Sequence, residues 1–266
     1  MEKAIELFAK QGFEATTVQQ ITEYCGISKG AFYLSFKSKG ELILALIDHF
    51  MEQIISDIDH IVRTASTEKL LQEFYCLIFN SFQKHSDFGK VLIKEQTQSI
   101  NQEFMLKMTY YDRLMEANIQ SMLERLYGDL VTHTKYDLTY CIKGFMNTYS
   151  QLFLFYNVPL DLNQLVQSLV EKTNLLAKQS VISFLTPDLI SIIKPTHNEK
   201  TTKDQLINLI NQKIPEIEND PIITESLELL KENLTNPTLS PAIAQGLLSN
   251  IRNHPHCKWI AYLLGS

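Results

Sequence analysis

The stretch GISKGAFYLSFKSKGEL, residues 26–42, sets Lys29, Lys37 and Lys39 in a run whose first acid is Glu41, inside a 266-residue chain of formal charge -6. Gly30 falls in the first turn of a predicted helix, where glycine costs about 1 kcal/mol against alanine. A basic island and a glycine at a helix start make joint sense where an anion approaches. With no side chain in the way, the helix N–H groups can come close to a phosphate, and the helix dipole favours negative charge there. Lys39, in the first turn of the following helix, is unfavourable for that dipole and makes better sense as a phosphate contact. Just upstream, Val18, Ile21 and Cys25 give one helix an inward face, Gly26 supplies a left-handed turn, and Ser28 caps the next helix. This is a helix-turn-helix. Phe32 and Phe36, four apart, face the core beside Phe8 and Phe13, which leaves Ser28, Lys29, Gly30, Tyr33 and Leu34 on the open side.

The rest of the chain reads as all-α. Valine is sparse, alternating patterns are absent, and apolar residues recur at three or four. Helices are predicted at about 2–11, 17–24 and 28–34. A fourth, from Ser38 to about Val62, carries Ile43, Ile47, Phe50, Ile54, Ile58 and Ile61 on one stripe and is roughly 38 Å long at 1.5 Å per residue. Further helices are predicted near 67–85, 88–101, 103–127, 135–156 and 161–185. Pro187, Pro195 and a polar run mark a joint over 187–200. Beyond it come three helices near 201–214, 221–234 and 239–252 and a short one near 257–264.

Composition narrows the function. A hydrophobic content of 45% fills a core of this size. No 18-residue uncharged apolar run and no basic-then-apolar leader appear, so the expectation is a cytoplasmic protein with no membrane partner. Cys25, Cys76, Cys141 and Cys257 are widely spaced, which fits reduced thiols better than disulfides or zinc. His254, His256 and Cys257 have metal-ligand chemistry, but Pro255 spoils the helical spacing and no second cluster completes four ligands, so no metal is expected. Gly-rich phosphate loops, H-E-x-x-H and G-x-S-x-G are missing, and neither catalysis nor a cofactor is expected.

The run AIELFAKQGFEATTVQQITEYCGISKGAFYLSFKSKGEL, residues 4–42, resembles the DNA-binding domain of the TetR family of bacterial transcriptional regulators. The resemblance lies in Phe8, Gly12, Phe13, Thr16 and Thr17, the G-[IV]-S-K-G turn, the aromatic recognition helix and F-x-[SN]-K. It implies that Thr17 and Lys39 hold phosphates of double-stranded DNA and that Ser28, Lys29, Gly30, Ala31, Tyr33 and Leu34 lie in or beside the major groove. Three positions depart from the pattern. Ser35 stands where histidine is frequent, which changes sequence preference; Thr22 replaces a small alanine; and the first helix lacks its basic lead-in, which lowers the expected affinity.

The same resemblance implies an HTH DNA-binding domain over 1–50 (the HTH itself about 17–36) and a helical ligand-binding and dimerisation domain over 51–190, while residues 196–266 exceed the usual family length and, following the polar, proline-bounded joint, read as a C-terminal helical extension. The helices near 135–156 and 161–185 would pair with a second copy, the first through Tyr140, Phe145, Tyr149, Leu152, Phe153 and Tyr156, the second through Leu165, Leu169, Leu176, Ile182 and Leu185. A homodimer suits a palindromic operator. Aromatic residues abound between 74 and 156. Core packing accounts for most of them, while a pocket for a small apolar or amphipathic effector would draw on Phe79, Phe82, Phe104, Tyr110, Tyr111 and Tyr149. The expected function is a homodimeric repressor released from its operator by that effector. A ligand-independent DNA-binding or protein-interaction factor on the same fold is the alternative, as is a relative whose shortened first helix binds DNA poorly and whose body acts as a protein adaptor.

Overall fold

The computed structural model describes residues 2–96, 102–156, 160–193, 202–217, 220–252, 254 and 257–265, and every regular element among them is helical. No described helix is long and apolar enough to cross a membrane. The first three helices are short: α1 (Glu2–Gln11), α2 (Val18–Cys25) and α3 (Lys29–Ser35). Gly12, at φ +89°, turns the chain after α1. Thr17 caps α2 in a reciprocal box with Gln20, and Gly26 closes α2 in the left-handed region at φ 70°. Ser28 and Ser38 accept from the backbone N–H groups of Ala31 and Glu41, starting α3 and α4 (Lys39–Thr64). The 26 residues of α4 span about 39 Å. Leu42, Ile43, Leu46, Ile47, Phe50, Ile55, Ile58 and Val62 are buried along it, so α4 passes from the small N-terminal bundle into the body within a single core.

Around α4 the body is built from α5 (Thr67–Lys84), α6 (Ser86–Gln96), α7 (Gln102–Tyr127), α8 (Lys135–Phe155) and α9 (Leu162–Gln179). Arg125 on α7 reaches the last carbonyls of α4, donating to Val62 O and Ala65 O at 2.5 Å each, which satisfies acceptors that a helix end otherwise leaves open. Gly89 lets α6 approach α8, because a Cβ there would stand 2.9 Å from Leu154 Cδ2.

The predicted helix over 161–185 is shorter than expected. It ends at Gln179, and residues 180–186 run without helical structure to α10 (Pro187–Ile193), an element where the sequence pattern predicted only a joint. Asp137 at the start of α8 explains the change. Its carboxylate accepts from Ser183 Oγ (2.8 Å), Phe184 N (3.0 Å) and Leu185 N (3.2 Å), replacing the bonds a continued helix would make. Pro187 also disfavours a helical Thr186 before it. Ile182 is therefore exposed instead of lying on a helix stripe, and Leu169 is fully buried in the core of its own chain. The stretch around Pro195 and the end of the helix predicted over 88–101 lie outside the described residues.

The chain finishes with α11 (Lys203–Lys213), α12 (Pro221–Thr235), α13 (Pro241–Arg252) and α14 (Lys258–Gly265). They share a core of their own that includes Ile210, Leu227, Leu230, Leu248, Ile251 and Ile260. Helix α14 also packs on α4, and Tyr262 belongs to the main core.

Candidate nucleic-acid interface and effector cavity

The helix-turn-helix splits α3 between two environments. Phe32 is buried against Phe36 at a ring separation of 5.9 Å, and Phe8 lies 5.4 Å from Phe13. Ser28, Lys29, Gly30, Ala31, Tyr33 and Leu34 are all exposed, so the six residues expected at the major groove share the solvent side. Leu34 is 91% exposed, a position with no packing role for an apolar side chain. Tyr33 is 54% exposed and meets Phe32 edge-on. A Cβ at Gly30 would meet nothing nearer than Ser28 Oγ at 3.7 Å, so the fold itself has room for a side chain there. Thr22 is buried and spends its hydroxyl on Gln19 O at 2.9 Å, which explains how the turn accepts it in place of alanine.

Two expected phosphate contacts are engaged within the chain. Thr17 Oγ1 accepts from Gln20 N and donates to Gln20 Oε1 at 3.0 Å, so its hydroxyl is spent on the cap of α2. Lys39 is half-buried. Its Nζ donates to Phe13 O at 2.6 Å and Glu14 O at 3.2 Å and stands 4.3 Å from the centre of the Phe13 ring. A cation in the first turn of α4 has no use for the dipole of that helix, but this side chain runs back and ties the start of α4 to the turn after α1. The distance from Lys39 to Phe13 in sequence hides that role.

The body holds an open-sided cavity of about 590 Å³ bounded by α4, α5, α6, α7, α8 and Ile193 of α10, with an adjoining lobe of about 160 Å³ reaching Ile54, Ile78, Ser81, His85 and Phe88. Of the six aromatic residues expected around a pocket, Phe82, Phe104 and Tyr111 line it. The other three are placed elsewhere. Phe79 is fully buried core beside Phe153, Tyr110 packs on Tyr111, and Tyr149 faces a separate groove between α8 and α9. The missed residues are methionines: Met51, Met105, Met108, Met115 and Met146, five of the chain's seven, line the cavity. Unbranched thioethers reshape around varied apolar molecules where rings would simply fill the space. Their i, i+3 spacing on α7 (Met105, Met108) was the available signal. Polar groups sit at one side, where Lys143 bridges Asp112 (2.6 Å) and Glu116 (2.5 Å), near Asn147 and Ser150.

Tyr111 joins the cavity to α4. Its ring lines the cavity, while its hydroxyl donates to Asp48 Oδ1 on α4 at 2.8 Å, and Lys107 donates to the same carboxylate at 2.6 Å. Burial and the neighbouring carboxylates hold the phenol well above its ordinary pKa, so it stays a donor. At the other end of the chain, His254 Nδ1 lies 3.4 Å from Cys257 Sγ in a helix-joining loop; His256 lies outside the described residues.

Residues 1–46 match the family model described as "Bacterial regulatory proteins, tetR family". The chain is 31% identical over 259 residues to YerO of Bacillus subtilis (strain 168), an HTH-type transcriptional regulator, covering 94% of this chain and 88% of that one. It is 23% identical over 262 residues to YuxN of the same organism, also an HTH-type transcriptional regulator, covering 94% of this chain and 90% of the other. Among solved structures, the TetR family regulator PfmR from Thermus thermophilus superposes with a TM-score of 0.56 at 19% identity, over 68% of this chain and 94% of that one, a likeness of fold. With these findings added to the exposed recognition face on a capped helix-turn-helix, the chain belongs to the tetR family of bacterial regulatory proteins.

Proposed function

We infer that the protein is a homodimeric transcriptional repressor that acts in the cytoplasm, reads a palindromic operator through α3, and is released when a small apolar or amphipathic effector enters the methionine-lined cavity. The observation that carries this reading is Tyr111, which lines the cavity and hydrogen-bonds Asp48 on α4, the helix that begins at the DNA-reading turn. An effector that displaces α7 pulls on α4 through this bond and through Arg125 at the far end of the helix. Because two recognition helices must sit about 34–36 Å apart to enter successive major grooves, a small tilt of α4 in each subunit breaks one half-site.

Support for the dimer comes from apolar side chains left uncovered near the start of α8 and around the end of α9: Tyr140, Leu175, Val181, Ile182 and Phe184. A patch of this kind on a single chain marks a contact surface. Phosphate grip, on this reading, comes from the exposed Lys29 and Lys37, because Thr17 and Lys39 are engaged within the chain. So few lysines give a modest salt dependence.

The reading is tested by selecting genomic DNA fragments with the purified full-length protein. The expected enrichment is an inverted repeat whose half-site centres lie one helical turn, or a whole number of turns, apart. Recovery of fragments with no shared sequence would contradict the operator reading and favour a protein-interaction role.

A further inference from the structure

The cavity reaches α4 from one side, and the C-terminal unit holds it from another. Lys258, the first residue of α14, pairs with Asp57 Oδ1 on α4. One residue on, the Trp259 ring stacks on Tyr262 (centroids 5.3 Å apart, 15° between planes) and lies 6.3 Å from Tyr111. Tyr262 is buried in the main core, so the last helix is an integral wall of the α4–α7 layer. The same Tyr111 thus touches the cavity, α4 and the C-terminal unit.

We propose that α11–α14 form a latch on α4, a second regulatory input in which the Lys258–Asp57 pair and the Trp259–Tyr262 stack hold the N-terminal bundle and the body in their DNA-binding arrangement independently of the cavity. Charge complementarity supports the latch. The side of α4 that meets α7 and the C-terminal unit carries Asp48, Glu52 and Asp57, while α14 brings Lys258 and α11 brings Lys213. Glu52 is faced by Asp48 on its own helix, by Lys107 and Tyr111 on α7, and by Lys213 on α11.

Burial, then the Asp48 carboxylate, pushes Glu52 up from 4.5 to about 7, with Lys107 and Lys213 opposing. Against an unfolded chain, where this carboxyl titrates near 4.5, the buried Glu52 favours folding at low pH, a contribution that is lost as pH rises from about 4.5 to about 7 and is level above.

The latch rests on the DNA-binding reading, and its test separates the two. Full-length Lys258→Glu, Asp57→Lys and the double swap are compared with the unmodified chain for affinity toward a duplex that the unmodified protein selects from a random library. Hydrogen exchange of α4 amides is measured alongside. Asp57 lies about 27 Å along α4 from Lys39 at 1.5 Å per residue, too far to act on DNA directly through salt. Each single reversal is expected to weaken DNA binding about 5- to 100-fold and to speed α4 exchange, with both recovered in the swap. Lys258→Gln shows the same direction with a smaller change, should a reversal fold poorly. A duplex bound equally by all four proteins while melting temperatures differ would overturn the latch alone. Failure of the unmodified protein to select any duplex would overturn the DNA-binding reading and the latch with it.

Discussion

A chain ending at Pro195 is expected to melt about 10 °C or more below the full-length protein and to aggregate. Tyr262 is buried in the main core and Trp259 covers Tyr111, so truncation uncovers the flank of α4 and α7. An aromatic side chain buries about 150–250 Å². At about 25 cal/mol per Å², full burial of one ring is worth about 4–6 kcal/mol as an upper figure, with the half-buried Trp259 adding less. A shift of about 2–4 °C per kcal/mol for a chain of the remaining length converts this to the stated change. Asp57 also loses Lys258, leaving a partly buried carboxylate. Differential scanning calorimetry of both chains decides the matter. An unchanged melting temperature would mean that the C-terminal unit is an independent module whose contact with α4 contributes nothing.

The second large effect separates two residues of the helix-turn-helix. Tyr33→Ala is expected to leave folding intact, since the side chain is more than half exposed, and to relax base preference at one operator position by about 1–3 kcal/mol. Lys39→Ala is expected to weaken all sequences alike. It removes the ammonium that two carbonyls share, loosens the joint between the α1 turn and α4, and lowers stability by about 1–3 kcal/mol. A free phosphate contact would show itself differently, as a drop of about one in the salt slope with stability unchanged. Binding isotherms at several salt concentrations, paired with thermal melts, tell the two roles apart.

The helix-turn-helix was legible because its signals are local. Gly26 at positive φ, the Ser28 cap and the Phe32–Phe36 spacing act within one or two turns, and each holds in the structure. The same holds for α4, whose stripe and Ser38 cap lie in one segment. What was not legible depends on distant partners. Val181, Ile182 and Leu185 continue a helical spacing, yet Asp137 captures that backbone from α8. Lys39 reads as a spare cation until Phe13 is brought beneath it. The cavity shows the limit of periodicity most plainly: spacing reports which side chains face inward, so it finds Phe79 and Phe82 alike, but only packing decides that one fills the core and the other borders empty space.

In the proposed mechanism the methionine-lined cavity and the recognition helices are coupled through α4. Calorimetric titration of an effector found by thermal-shift screening, run with the free protein and with the protein saturated by its selected duplex, measures that coupling. Linkage requires that the duplex weaken effector binding by the same factor by which the effector weakens DNA binding, a factor of about 5–150 for couplings of about 1–3 kcal/mol. Equal effector affinity with and without the duplex would contradict the mechanism.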